Sequence, residues 1–157
     1  MNKHKQLIEN FYKAFEKRDF QGMIKCYHPK IEFYDPVFQT LKGDEAKAMW
    51  QMLCESIDSS FKIVASNITA DEKVGSAHWE AEYKFSQTGR LVHNKIDAVF
   101  TFKDQLISEH KDSFDLWHWS AMALGWKGSL LGWTPFMQNA IRSQAQGRLK
   151  KYISKQK

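Results

Sequence analysis

Cysteine is scarce in this chain of 157 residues: there are two, Cys26 and Cys54. Two thiols make neither a disulfide framework nor a metal centre. Both stand among apolar residues at helical spacing, so they read as reduced core residues of a cytoplasmic protein. Long apolar runs are missing too. No stretch approaches the roughly 18 residues of a membrane span. The opening MNKHKQLIENFYKAF lacks the apolar centre and cleavage site of a signal peptide. No membrane partner is expected. No repeat, low-complexity tract or Pro/Gly/Ser-rich linker divides the sequence, which therefore reads as one domain over 1–157. A glycine-rich phosphate loop and a Gly-X-Ser-X-Gly elbow are also absent. No cofactor is expected.

What is present is a core-forming composition. Apolar residues make up 43% and aromatic residues 14%, which excludes a disordered chain. The net charge of +5 comes largely from Arg142, Arg148, Lys150, Lys151, Lys155 and Lys157. Such a cluster reads as a solvated helix end, and nucleic acid is not an expected partner.

Periodicity orders the elements. Leu7, Ile8, Phe11, Tyr12 and Phe15 predict a first helix. Asp19 caps a second, with Phe20, Met23, Ile24 and Tyr27 inward, and His28-Pro29 ends it. IEFYDP is a short strand with Ile31, Phe33 and Asp35 on one face. Gly43-Asp44 breaks the chain before a helix whose stripe is Ala46, Met49, Trp50, Leu53, Cys54 and Ile57. From Phe61 the period becomes two. A strand over 61–69 is followed by one with Trp79, Ala81, Tyr83 and Phe85 inward. The next carries Val92, Asn94, Ile96, Ala98, Phe100 and Phe102 inward. In the last, Leu106, Ser108, His110, Asp112, Phe114 and Leu116 share a face opposite Ile107, Glu109, Lys111, Ser113 and Asp115.

The tail is helical: Leu116 to Leu124 stopped by Gly125, then an amphipathic helix opened by Thr134-Pro135. Its stripe is Met137, Ala140, Ile141, Ala145, Leu149, Tyr152 and Ile153. Lys127-Gly128-Ser129 and Leu131-Gly132-Trp133 read as turns. This order predicts an α+β fold with one curved, mostly antiparallel sheet and helices on one face.

Asp35, Asn94, His110 and Asp112 fall on strand faces that are otherwise apolar, and Tyr83 adds a hydroxyl. Buried carboxylates must pair, stay wet or shift their pKa values. Convergent polar groups amid aromatic side chains form the usual small-molecule pocket. Asp35, His110 and Asp112 are the candidate acid–base residues. Structural readings stand beside this: a backbone carbonyl as partner for His110, an Asx turn before proline for Asp35, and satisfied core or rim groups for Asn94 and Tyr83. A metal held by His110, Asp112 and Asp35 lacks a further ligand cluster, and no metal is expected.

The stretch YKAFEKRDFQGMIKCYHPKIEFYDPVFQTLKGDEAKAMW, followed by strands to Asp112, resembles the nuclear transport factor 2-like superfamily in its ketosteroid isomerase and SnoaL-like branch. The resemblance covers about residues 5–116, with residues 117–155 as a helical extension. It implies a cone: a curved sheet wrapped around N-terminal helices, enclosing a pocket for a small apolar molecule. It also implies a homodimer. Asp35 matches the isomerase's general-base aspartate, which also precedes a proline. The tyrosine and acid of that enzyme's oxyanion hole are Phe11 and Ala98 here. Relatives of the cyclases carry an aspartate late in the sheet, as at His110 and Asp112, whereas no inward arginine supports an epoxide-hydrolase triad. Phe11, Trp50, Trp79, Tyr83, Asn94, Ala98, Phe100 and Phe114 are the expected ligand contacts. Two functions are expected to compete: an acid–base isomerase, cyclase or hydrolase, and a non-catalytic binding or dimerisation module.

Overall fold

Asn2 caps the first helix, its side chain accepting from the backbone N–H groups of His4 and Lys5. Helix α1 (Lys3–Glu16) buries Ile8, Phe11, Tyr12 and Phe15, the stripe its sequence predicts. The computed structural model describes residues 2–156. Asp19 caps α2 (Phe20–Lys25) by accepting from Gly22 N–H.

Helix α2 ends before His28-Pro29, and Tyr27 already belongs to the strand β1 (Tyr27–Asp35). Proline sits inside this strand because the ladder to the neighbouring strand is interrupted between Tyr27 and Glu32. A missing N–H costs no ladder bond there. A short strand that periodicity does not predict, β2 (Gln39–Lys42), folds back on β1, pairing Gln39 with Asp35. Gly43, at φ +54°, turns the chain into α3 (Asp44–Ser56). Asp44 and Glu45 in its first turn complement the helix dipole.

Strands β3 (Lys62–Ala70), β4 (Val74–Lys84), β5 (Leu91–Lys103) and β6 (Leu106–Ser113) complete a six-stranded sheet in the order β2-β1-β6-β5-β4-β3. The β1–β6 pair is parallel; the other neighbours are antiparallel. The sheet is mixed and unclosed, with the N-terminal helices on its inner face. Along β5 every second residue from Val92 to Phe100 is buried.

One parity expectation fails. The β5–β6 register slips between Thr101–Glu109 and Phe102–Ile107, leaving Ser108 as an extra residue. The bulge turns Ile107 inward, where it is fully buried, instead of outward. His110 and Asp112 lie beyond the bulge and keep the inward direction.

The tail forms α4 (Leu116–Leu124), α5 (Trp126–Leu131) and α6 (Pro135–Lys155). Helix α5 stands where turns are expected. Its glycines serve packing: a Cβ on Gly128 would lie 1.9 Å from the Ser120 carbonyl oxygen, so α5 can lie against α4 only without one. Thr134 caps α6 through Met137 N–H. Helix α6 crosses α3 and ties to the β1–β2 connection, Arg142 donating to Pro36 O at 2.8 Å and Gln146 to Phe38 O. Ile141 and Leu149 of its stripe are buried, while Ala140 is exposed. Among the described residues no helix is long and apolar enough to cross a membrane.

Candidate functional site

A cavity of about 580 Å³ lies between the inner face of the sheet, α3 and the middle of α6. Its wall is mainly aromatic and aliphatic, and three carboxylates border it: Asp58, which is exposed, and the two sheet residues Asp35 and Asp112. The proximity of Asp35 and Asp112 follows from strand pairing. Phe33 and His110 are partners across the parallel β1–β6 pair, and each carboxylate comes two residues later on its strand. They therefore leave adjacent strands on the same face.

Asp35 ends β1, and Pro36 stops the strand behind it. Its Oδ1 accepts from the N–H groups of Val37 (2.9 Å) and Phe38 (2.6 Å), an Asx turn. Among the described residues nothing hydrogen-bonds to Oδ2. Burial pushes the Asp35 carboxyl up to about 7; the Asp112 charge adds to this, and the two backbone donors oppose it. The turn reading and the acid–base reading thus describe two oxygens of one group.

Asp112 is held from behind by a buried relay. Trp50 Nε1 donates to Tyr27 Oη at 2.9 Å, and Tyr27 Oη lies 2.7 Å from His110 Nδ1. His110 Nε2 lies 2.9 Å from Asp112 Oδ1, which also accepts from Trp79 Nε1 at 3.3 Å. An indole only donates, so Tyr27 sends its own proton to Nδ1. His110 then donates from Nε2 to Asp112. The imidazole is fully buried, packed among Phe11, Phe33, Trp50 and Phe100.

His110 is therefore behind the cavity wall, not on it. Phe11, Ala98 and Phe100 share that position, each buried in the core and outside the cavity lining. Trp50, Trp79, Tyr83, Asn94 and Phe114 line the cavity together with Asp35 and Asp112. Tyr83 Oη accepts from Trp119 Nε1 at 2.8 Å, which leaves its own proton free to point at a ligand. Burial, and secondarily the Asp35 charge, raise the Tyr83 hydroxyl above its ordinary value, against the pull of the Trp119 bond. Among the described residues no group of three or more His, Cys, Asp or Glu could hold a metal ion.

Sequence reasoning missed Tyr27 and Trp119. Tyr27 carries the right signal: extended from there, the parity of Ile31 and Phe33 places it inward. Trp119 carries none, because its role depends on how α4 meets β4.

Two buried tyrosines separate cleanly by experiment. Among the described residues Tyr12 Oη is buried with no partner, and Tyr27 Oη has two. Tyr12→Phe is expected to leave stability unchanged or raise it slightly. Tyr27→Phe is expected to cost about 2–3 kcal/mol, because it orphans the Trp50 donor and a His110 nitrogen. Urea melts of both variants check this contrast.

No curated protein matches the chain. Among solved structures, TsrD from Streptomyces laurentii superposes with a TM-score of 0.65 at 18% identity, over 76% of this chain and 93% of that one. A putative polyketide cyclase from Xanthomonas campestris pv. campestris gives 0.62 at 17% identity, over 76% and 96%. A LEH-like epoxide hydrolase from M. tuberculosis gives 0.62 at 15% identity, over 85% and 96%. At these identities the likeness is one of fold. Residues 8–110 match the SnoaL-like domain, and the chain belongs to that family, within the nuclear transport factor 2-like superfamily.

Proposed function

We propose that the protein is a cofactor-independent acid–base enzyme acting on a small apolar carbonyl or cyclic compound held in the cavity. The observation that carries this reading is Asp35: a carboxyl in an apolar cavity, with one oxygen fixed, the other unengaged, and a pKa near 7. Asp35 takes a proton from the carbon beside the carbonyl. The C–H electron pair moves into the C–C bond, and the carbonyl π pair moves onto oxygen. Tyr83 O–H and the Asn94 amide stand in the cavity as donors to that oxygen. They would serve where Phe11 and Ala98 replace the electrophile of the related isomerases. Protonated Asp35 then returns the proton to a second carbon, an isomerisation. In a cyclisation the enolate carbon instead attacks a second carbonyl. Asp112 is a second carboxyl at the same face, and His110 is its positioning residue.

The test is deuterium exchange at the α-carbon of a panel of cyclic ketones and enones. Exchange by the wild type that Asp35→Asn loses supports the reading. Absence of exchange from a folded wild type counts against it. The reading also sets a pH dependence. Asp112→Asn removes a charge that raises Asp35, so the midpoint of the exchange–pH profile is expected to fall below about 7.

The second reading is a binding module that encloses a small molecule without turning it over. The apolar residues at Phe11 and Ala98 favour it. Mass spectrometry of the purified protein, showing a retained compound that is chemically unchanged after incubation, would support it.

A further inference from the structure

The exposed apolar residues of this protein are not spread evenly. Among the described residues eleven large hydrophobic side chains are exposed, and six of them fall between residues 117 and 136. They are Trp117, Trp126, Leu130, Leu131, Trp133 and Phe136, with Phe136 81% and Trp126 69% exposed. The α4–α5 hairpin draws Trp117, Leu130 and Trp133 together. Gly128 and Gly132 both pack onto Ser120 of α4, drawing the two helices together. Trp117 Nε1 donates to Ser129 O across the hairpin, and Trp133 Nε1 donates to Leu130 O, each at 2.9 Å. These two indole N–H groups are thus satisfied within the protein while their rings stay exposed. A contiguous exposed apolar patch marks an interaction surface.

Charge identifies the occupant. All eighteen acidic residues lie at or before Asp115, together with sixteen of the twenty-three basic ones, a balance of −2. The last forty-two residues hold seven Lys and Arg and no acid. Two basic groups border the patch itself. Lys127 Nζ lies 5.8 Å from the Trp126 ring, and the Arg90 guanidinium packs at Gly125. Two copies meeting through this face would bring like charges together. An anionic lipid surface instead complements both features: tryptophans settle at the headgroup level, and basic residues meet the phosphates.

We infer that the α4–α5 hairpin and the start of α6 dock on an anionic membrane surface, with the indoles in the interfacial layer. Surface docking needs no spanning segment, so the missing apolar run does not oppose it. The patch also borders the cavity. Leu124 and Met137 line the cavity wall, and exposed Trp126 and Phe136 lie two residues and one residue away in the chain. An apolar ligand dissolved in the bilayer would therefore meet the cavity at the docked face. That corollary rests on the small-molecule reading above; docking does not.

The test is flotation of the full-length protein with vesicles of phosphatidylcholine alone and with about 30% phosphatidylglycerol. Binding to the anionic vesicles, weakened by salt and accompanied by quenching of tryptophan fluorescence by brominated acyl chains, is expected. The double variant Trp126→Ser, Phe136→Ser changes only exposed side chains, and it is expected to bind at least about tenfold more weakly. Lys127→Glu with Lys150→Glu and Lys151→Glu should also weaken binding while leaving the aromatic patch intact. No binding to anionic vesicles at low salt would overturn the inference. So would binding that the serine variant leaves undiminished, or a solution dimer that the same variant dissociates. None of these readouts uses turnover, so they stand apart from the test of the enzyme reading.

Discussion

On the proposed function, Asp35→Asn is expected to cut proton transfer steeply and to stabilise the protein above neutral pH. The two effects have one cause. In the unfolded chain an aspartate titrates near its ordinary value of 3.8, and in the folded protein this one titrates at about 7. The folded state therefore holds a proton that the unfolded state has lost, between about pH 4 and pH 7. Stability falls as pH rises through that window and is flat above it. The full difference corresponds to about 2–4 kcal/mol, the lower figure allowing for partial exposure of the group. Asparagine cannot ionise, yet its oxygen can still accept from Val37 and Phe38. At pH 8 the variant should melt at higher denaturant than the wild type; at pH 4 the two curves should coincide. Exchange or turnover should fall by about 10²–10⁴-fold, the usual contribution of a positioned base. A variant with lower stability at pH 8 would mean that Asp35 is held by partners that favour its charge. The site would then lose its base.

Such a group is legible in the sequence only in part. The inward parity of Asp35, Asn94 and Asp112 follows from period two, because strand side chains alternate whatever the tertiary context. Long regular strands therefore read well: β5 alternates without a fault from Val92 to Phe100. The errors fall where one residue changes the count. The extra Ser108 in the β5–β6 ladder turns Ile107 inward, and no local propensity marks a serine as a bulge. The interruption around Pro29 likewise hides the start of β1, and with it Tyr27. Depth is a second limit. Strand parity places His110 and Phe100, and helical spacing places Phe11, on the inner side, yet neither can separate the cavity wall from the layer behind it. That distinction depends on how α1 and α3 fill the concavity. The glycines of α5 mislead for a third reason. They read as turn residues, whereas here they are contact residues, chosen for the space that α4 leaves.

His110→Ala should be the most damaging single change in the site. It removes a fully buried ring that packs against five aromatic neighbours, which leaves a cavity. It also strips the Tyr27 hydroxyl of its acceptor and Asp112 of a donor. Cavity and orphaned groups together should cost about 4 kcal/mol or more. His110→Phe separates the two parts, since it restores most of the volume and none of the hydrogen bonds. The loss that persists in phenylalanine belongs to the relay. A double-mutant cycle then reports whether the relay acts as a unit. Tyr27→Phe should cost less in the His110→Phe background than in the wild type, with a coupling of about 1–2 kcal/mol. Strict additivity would mean that the two bonds are independent. If Asp112 owes its position to this relay, His110→Phe should also move the pH midpoint set by Asp35, because the Asp112 charge that raises it is no longer fixed. A fold that merely loosened would lower activity at every pH and leave the midpoint where it was. A shifted midpoint in a folded His110→Phe variant would therefore assign His110 to the chemistry through Asp112, without contact between the imidazole and any substrate.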